Sequence, residues 1–191
     1  TSPDPNPLAA MSSDSKWFET NRPWLLPFLY FFARLVLFLA LIPDDFYGFG
    51  DFPVYGSWTS LPGWPYLDYW VEYPPLFPFI SEGLYRLAGG GVFLYDFLLA
   101  ILLALAGAVG LGLFQRISER LHGPQESFQR ALVYFAVTVA LPYTWWYYEP
   151  LPVMLFLGGL WAVLQKREQA AGVWIGLGIL AKWFPLFLLP G

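Results

Sequence analysis

Cysteine is absent from the 191 residues and histidine occurs once, as His122. The first absence excludes disulfides, thiolate metal sites and thiol nucleophiles. The second argues against imidazole-built metal centres and histidine-dependent triads. Charge is also scarce: 13% of the residues are charged, and the formal net charge is −4. With no basic excess, nucleic acid is a poor partner.

What remains is apolar. Hydrophobic residues make up 57% of the chain and the mean hydropathy is +0.49, above the roughly 45–50% apolar content of an ordinary soluble domain. The composition therefore points to the bilayer as solvent. Aromatic residues reach 21%, a content that suits either membrane-interface belts or a ring-lined binding surface.

Trp24–Ile42 is a strongly apolar run, about 28 Å long as a helix and close to the hydrocarbon thickness. Residues 1–23 form a polar tail ahead of it. Further expected spans are Val92–Phe114, Ala131–Trp146, Leu151–Leu164 and Ala170–Pro190. Pro74–Ala88 is shorter and places Glu82 and Arg86 one helical turn apart. If that segment lies along the interface, Lys16, Arg22, Arg116, Arg120, Arg130, Lys166 and Arg167 share one side, as the positive-inside rule prefers. The expectation is thus an all-α, polytopic bundle of about five spans with the N-terminus cytoplasmic. Residues 43–91 then form an outer loop containing an interfacial helix at 74–88. That loop gathers Asp44, Asp45, Asp51, Asp68, Glu72 and Glu82 against Arg86 alone. The apolar ending at Pro190-Gly191 reads as an interruption, as in one part of a longer protein.

Within the loop, carboxylates alternate with rings: Asp51-Phe-Pro-Val-Tyr55, then Gly63-Trp-Pro-Tyr-Leu-Asp-Tyr-Trp-Val-Glu72-Tyr73-Pro-Pro-Leu76. Carboxylates accept hydrogen bonds from sugar hydroxyls, and ring faces pack against the C–H faces of a sugar. A carboxylate beside a hydroxyl can also take its proton during attack on a carbon. The plainer alternative is a solvated acidic loop with Trp and Tyr as interface anchors. Arg34, Asp96 and Lys182 fall inside expected spans, where a charge facing lipid is costly, so each should face a cavity or a partner. For Arg34 and Asp96 mutual pairing or snorkelling is the favoured reading, whereas for Lys182 a structural and a functional role stand level. Lys182 is placed to reach a phosphate in the outer leaflet. Three prolines around Glu149 break the helices at membrane depth, where irregular backbone needs protein or water beside it.

Taken in order, Asp51-x-x-Val-Tyr55, Gly63-x-Pro-Tyr66, Glu72-Tyr-Pro-Pro-Leu76, the proline-bearing turn at Glu149 and Lys182-x-x-Pro-Leu186 resemble membrane glycosyltransferases of the GT-C type, specifically family 87. The resemblance covers Trp24 to the end and corresponds to the N-terminal half of such a protein. It implies an integral protein of the bacterial plasma membrane that moves a hexosyl or mannosyl group from a polyprenyl-phosphate donor to an acceptor hydroxyl at the outer face. In that family an aspartate of the first outer loop is the catalytic base, and Asp51 matches it. Lys182, with Arg34 or Arg86, would neutralise the departing lipid phosphate, and Tyr55, Glu72 and Tyr73 would shape the sugar pocket. Relatives carry Gln or Asn and Asp where this chain has Tyr147-Tyr148-Glu149, so Glu149 departs from the pattern. No metal or cofactor is implied. The partners are the lipid-linked donor, membrane lipids and other membrane subunits. The rival expectations are a non-catalytic structural subunit derived from a transferase half, and a transporter.

Overall fold

The computed structural model describes residues 7–40, 50–141 and 147–188, with side chains from 23 to 186 within those stretches. Asp44, Asp45 and the rings of Tyr143, Trp145 and Trp146 lie outside them. Among the described residues the regular elements are helical: α1 (Pro7–Ala40), α2 (Phe52–Thr59), α3 (Leu76–Leu87), α4 (Val92–His122), α5 (Pro124–Ala140), α6 (Pro150–Leu164), α7 (Glu168–Ala181) and a closing 3₁₀ turn (Phe184–Leu188).

Among the described residues two stretches are long and apolar enough to cross a membrane, Pro23–Ala40 within α1 and the whole of α4; α6 and α7 are apolar but shorter. At 17, 15 and 14 residues, α5, α6 and α7 measure about 21–26 Å, less than the roughly 30 Å hydrocarbon layer. A helix, α3, is present at the segment expected at 74–88, two residues later at its start and one earlier at its end.

Several boundaries differ from expectation for identifiable reasons. The third expected span ends at Ala140 instead of Trp146, because Pro142 disfavours helical backbone at Leu141, which is extended (φ −76°, ψ 116°). Helix α1 starts at Pro7, so the expected polar tail is helical over most of its length; residues 8–22 contain neither Gly nor Pro to stop it. The expected charged loop at 115–130 is a tight helical hairpin. Only Gly123, at φ 86°, separates α4 from α5, and Pro124 follows as the first residue of α5, the arrangement that glycine ends and proline starts favour. The last expected span stops at Ala181 instead of Pro190. A continuing helix would drive the Pro185 ring into the carbonyl of residue 181. The chain instead extends at Lys182 (φ −161°, ψ 146°), so Lys182 sits at a helix end and not deep inside a helix.

Helix α4 is central, packing on α1, α5 and α6, while α6 pairs with α7. Helices α1 and α4 are antiparallel: Trp24 meets Arg116, Tyr30 faces Gly107, and Phe38 lies 6.2 Å from Phe97. A β-carbon at Gly107 would stand 2.4 Å from the Tyr30 ring, so the glycine permits this close approach. Helix α6 meets α4 at Gly110, opposite Met154. Gly110 is about five turns along α4 and Met154 about one turn along α6, so α6 begins well below the start of α4. Helices α2 and α3 pack beside the upper part of α4, with α3 also against α7. A buried cluster that includes Phe52, Tyr55, Phe77, Tyr95, Leu99, Tyr148 and Leu151 joins this cap to the helices beneath it.

Charge is divided between the two ends. The cap end holds Asp51, Asp68, Glu72, Glu82, Asp96 and Glu149 against Arg86 and Lys182. The opposite end holds Arg116, Arg120, Arg130, Lys166 and Arg167 against Glu119, Glu126 and Glu168.

Candidate functional site

Asp51 is the residue before α2, but its carboxylate does not cap that helix. It turns to two phenols: Tyr55 Oη donates to Asp51 Oδ2 at 3.3 Å and Tyr73 Oη donates to the same oxygen at 3.1 Å. Tyr55 reaches back because it lies one helical turn after Asp51. Tyr73 comes from the segment before α3 and is held there by the Tyr66 hydroxyl, which donates to the Tyr73 carbonyl. Asp51 Oδ1 takes no hydrogen bond among the described residues, and the residue is half-buried. The arrangement thus fixes one carboxylate oxygen and leaves the other to accept.

The second polar pair comes from the far end of the sequence. Lys182 Nζ donates to Glu149 Oε1 at 2.6 Å, joining the end of α7 to the start of α6. Glu149 Oε2 is buried and has no hydrogen-bond partner among the described residues. A buried carboxylate oxygen left unmatched is costly, and this one would accept a hydroxyl brought by a ligand.

Tyr148 connects the two pairs. Its ring stacks on Phe77 at 4.3 Å, meets Tyr73 edge-on at 5.6 Å and Tyr55 at 6.0 Å, and lies 5.2 Å from Lys182 Nζ. Its hydroxyl donates to the Ala181 carbonyl at 3.2 Å, which fixes the end of α7 and hence Lys182. Trp58 stacks on Tyr73 at 6.0 Å and closes the ring cluster. Burial, and then the charge of Asp51, push the hydroxyls of Tyr55 and Tyr73 above the ordinary phenol range. For Tyr148 burial acts first and Glu149 second. All three phenols are therefore protonated donors at neutral pH.

Asp51, Tyr55, Tyr73, Glu149 and Lys182 thus surround one aromatic cluster. Glu72 is exposed and acts on Tyr73 only through its charge. Arg86, expected as a substrate ligand, is engaged elsewhere. Its Nε donates to buried Glu82 at 2.6 Å, another guanidinium nitrogen donates to the Gly63 carbonyl at 2.5 Å, and its plane lies 4.0 Å from the centre of the Trp64 ring. Glu82 also accepts from Tyr69 at 3.0 Å. This network ties α3 to the 63–69 turn, so Arg86 holds the cap together. Arg34 is buried in the last two turns of α1, one turn after Tyr30, its electrostatic neighbour. Sequence reasoning missed the central role of Tyr148. Its only signal was its place beside Glu149 in a run of aromatics.

No protein-family model, curated protein or solved structure matches this chain.

Proposed function

We propose that this protein is a membrane glycosyltransferase that moves a hexosyl group, mannosyl by the sequence resemblance, from a polyprenyl-phosphate donor to an acceptor hydroxyl. It would lie in a bacterial plasma membrane as a bundle of the GT-C type with about five crossings, its N-terminus cytoplasmic and its acidic cap outward. The observation that carries this reading is the pairing of a half-occupied carboxylate, Asp51, with the Glu149–Lys182 pair across the Tyr148 ring. In the proposed step, Asp51 Oδ1 takes the acceptor's proton as the acceptor oxygen attacks the anomeric carbon. The bond from that carbon to the phosphate oxygen breaks with inversion, and Lys182 shifts from Glu149 to the departing lipid phosphate. Glu149, released from the lysine, accepts hydroxyls of the sugar.

The test is Asp51→Asn, which keeps the shape and removes the base. General-base catalysis contributes roughly 10²–10⁴-fold, so transfer from a polyprenyl-phosphate sugar should fall by about that factor while helical circular dichroism is unchanged. Full transfer by Asp51→Asn would refute the assignment. The carboxylate already beside Lys182 favours a second reading, a structural membrane subunit whose Glu149–Lys182 pair holds α6 to α7. On that reading Asp51→Asn leaves function untouched, and Lys182→Met disrupts assembly.

A further inference from the structure

A groove with a volume of about 410 Å³ runs along the outside of the bundle between α1 and α4, at the end opposite the cap. Its walls include Trp24, Pro27 and Phe28 from α1 and Ala108 and Gly112 from α4, and Arg116 stands at its end. Two features of the sequence create it. The small residues on α4 leave the helix surface low, and the compact Pro27 ring approaches Gly112 where a larger side chain would fill the space. Trp24 and Phe28 are 64% and 61% exposed, so the groove opens outward from the bundle.

The position of Arg116 identifies the occupant. No charged residue lies between Asp96 and Arg116 on α4, an interval of about 30 Å at 1.5 Å per residue, which matches the hydrocarbon layer. With α4 across a bilayer, Arg116 therefore stands at headgroup depth and the apolar walls stand at acyl-chain depth. Its guanidinium lies 5.4 Å from the Trp24 ring, which orients it at the groove mouth. Arg116 takes no carboxylate partner among the described residues. With Arg116, the residues Arg120, Arg130, Lys166 and Arg167 outnumber Glu119, Glu126 and Glu168 at this end of the bundle, so the net potential there is positive.

We propose that this groove binds an anionic phospholipid of the leaflet at the basic end, with an acyl chain along Phe28 and Ala108 and the phosphate on Arg116. A basic residue closing an apolar interhelical groove at the interface is the chemistry that selects anionic over zwitterionic lipid. The site rests on α4 crossing the membrane. It is independent of sugar transfer, which belongs to the other end of the molecule.

The experiment uses the whole chain in detergent, titrated with phosphatidylglycerol or phosphatidylcholine of matched chains and read by native mass spectrometry. Phosphatidylglycerol should bind at least about tenfold more tightly. Arg116→Gln should abolish that preference, Arg116→Lys should keep most of it, and Gly112→Leu should weaken both lipids by filling the groove. Equal binding of the two lipids by the wild-type protein overturns the proposal, as does a preference that survives Arg116→Gln. Displacement of phosphatidylglycerol by inorganic phosphate at equal concentration would show a simple anion site and also overturn it. None of these outcomes alters the expectation for Asp51→Asn, so the two proposals fail separately.

Discussion

Replacing Arg86 by methionine removes the guanidinium while keeping a long apolar stem. Glu82, whose side chain is 2% exposed, would lose its cation at 2.6 Å and keep only the Tyr69 hydroxyl at 3.0 Å. A hydrogen bond to a charged group contributes roughly 1.5–3 kcal/mol, and a buried charge left without its partner adds to the loss. Arg86 is itself 46% exposed, so solvent screens the pair and the lower part of that range applies, about 2 kcal/mol. In a chain of this size, about 2 kcal/mol corresponds to a fall of roughly 4–8 °C in the unfolding midpoint. Near-ultraviolet circular dichroism in detergent follows the transition, because the cap is dense in rings. Glu82→Gln made together with Arg86→Met should recover part of the loss, with a coupling of about 1 kcal/mol or more, because a neutral amide no longer needs the cation. An unchanged midpoint in Arg86→Met, or strictly additive losses in the double variant, would refute the clamp. Weakened sugar binding at unchanged stability would return Arg86 to the substrate site.

Gly107→Ala should cost about 1–3 kcal/mol, because its new methyl would stand 2.4 Å from the buried Tyr30 ring. The same melting experiment measures it, and Tyr30→Leu in the same chain should relieve it; a neutral Gly107→Ala would refute the close α1–α4 contact. Stability should fall as pH rises above about 10, the value for a free phenol. Tyr55, Tyr73 and Tyr148 have raised pKa values in the folded chain, so their contribution is intact below that pH and is lost above it as the unfolded chain releases protons first. Tyrosinate absorbance should accordingly appear for these residues only with unfolding, and ordinary titration in the folded state would contradict the ring cluster.

Local signals in the sequence determined much of the architecture. Apolar composition located the cores of the longer helices, the turn-spaced Glu82 and Arg86 marked α3, and the distribution of acids and bases along the chain anticipated two ends of opposite charge. These properties depend on neighbours within a few turns, so periodicity and composition contain them. Helix ends were less legible because they depend on backbone stereochemistry at single residues. Pro185 stops α7 four residues earlier, and Gly123 turns an expected loop into a hairpin.

The site was divided in the same way. Asp51, Tyr55 and Tyr73 stand close enough in sequence for the motif to suggest them together. Glu149 meeting Lys182, and both meeting the Asp51 cluster across Tyr148, depends on α6 and α7 folding back on each other and on α3 seating against α7. The removal of Arg86 from the candidate site likewise depends on buried Glu82, whose need for a cation exists only once α3 is packed. Sequence thus determined which chemical groups the chain carries and the segments that bear them. Tertiary structure decided which of those groups meet, because contacts between distant segments arise only from packing.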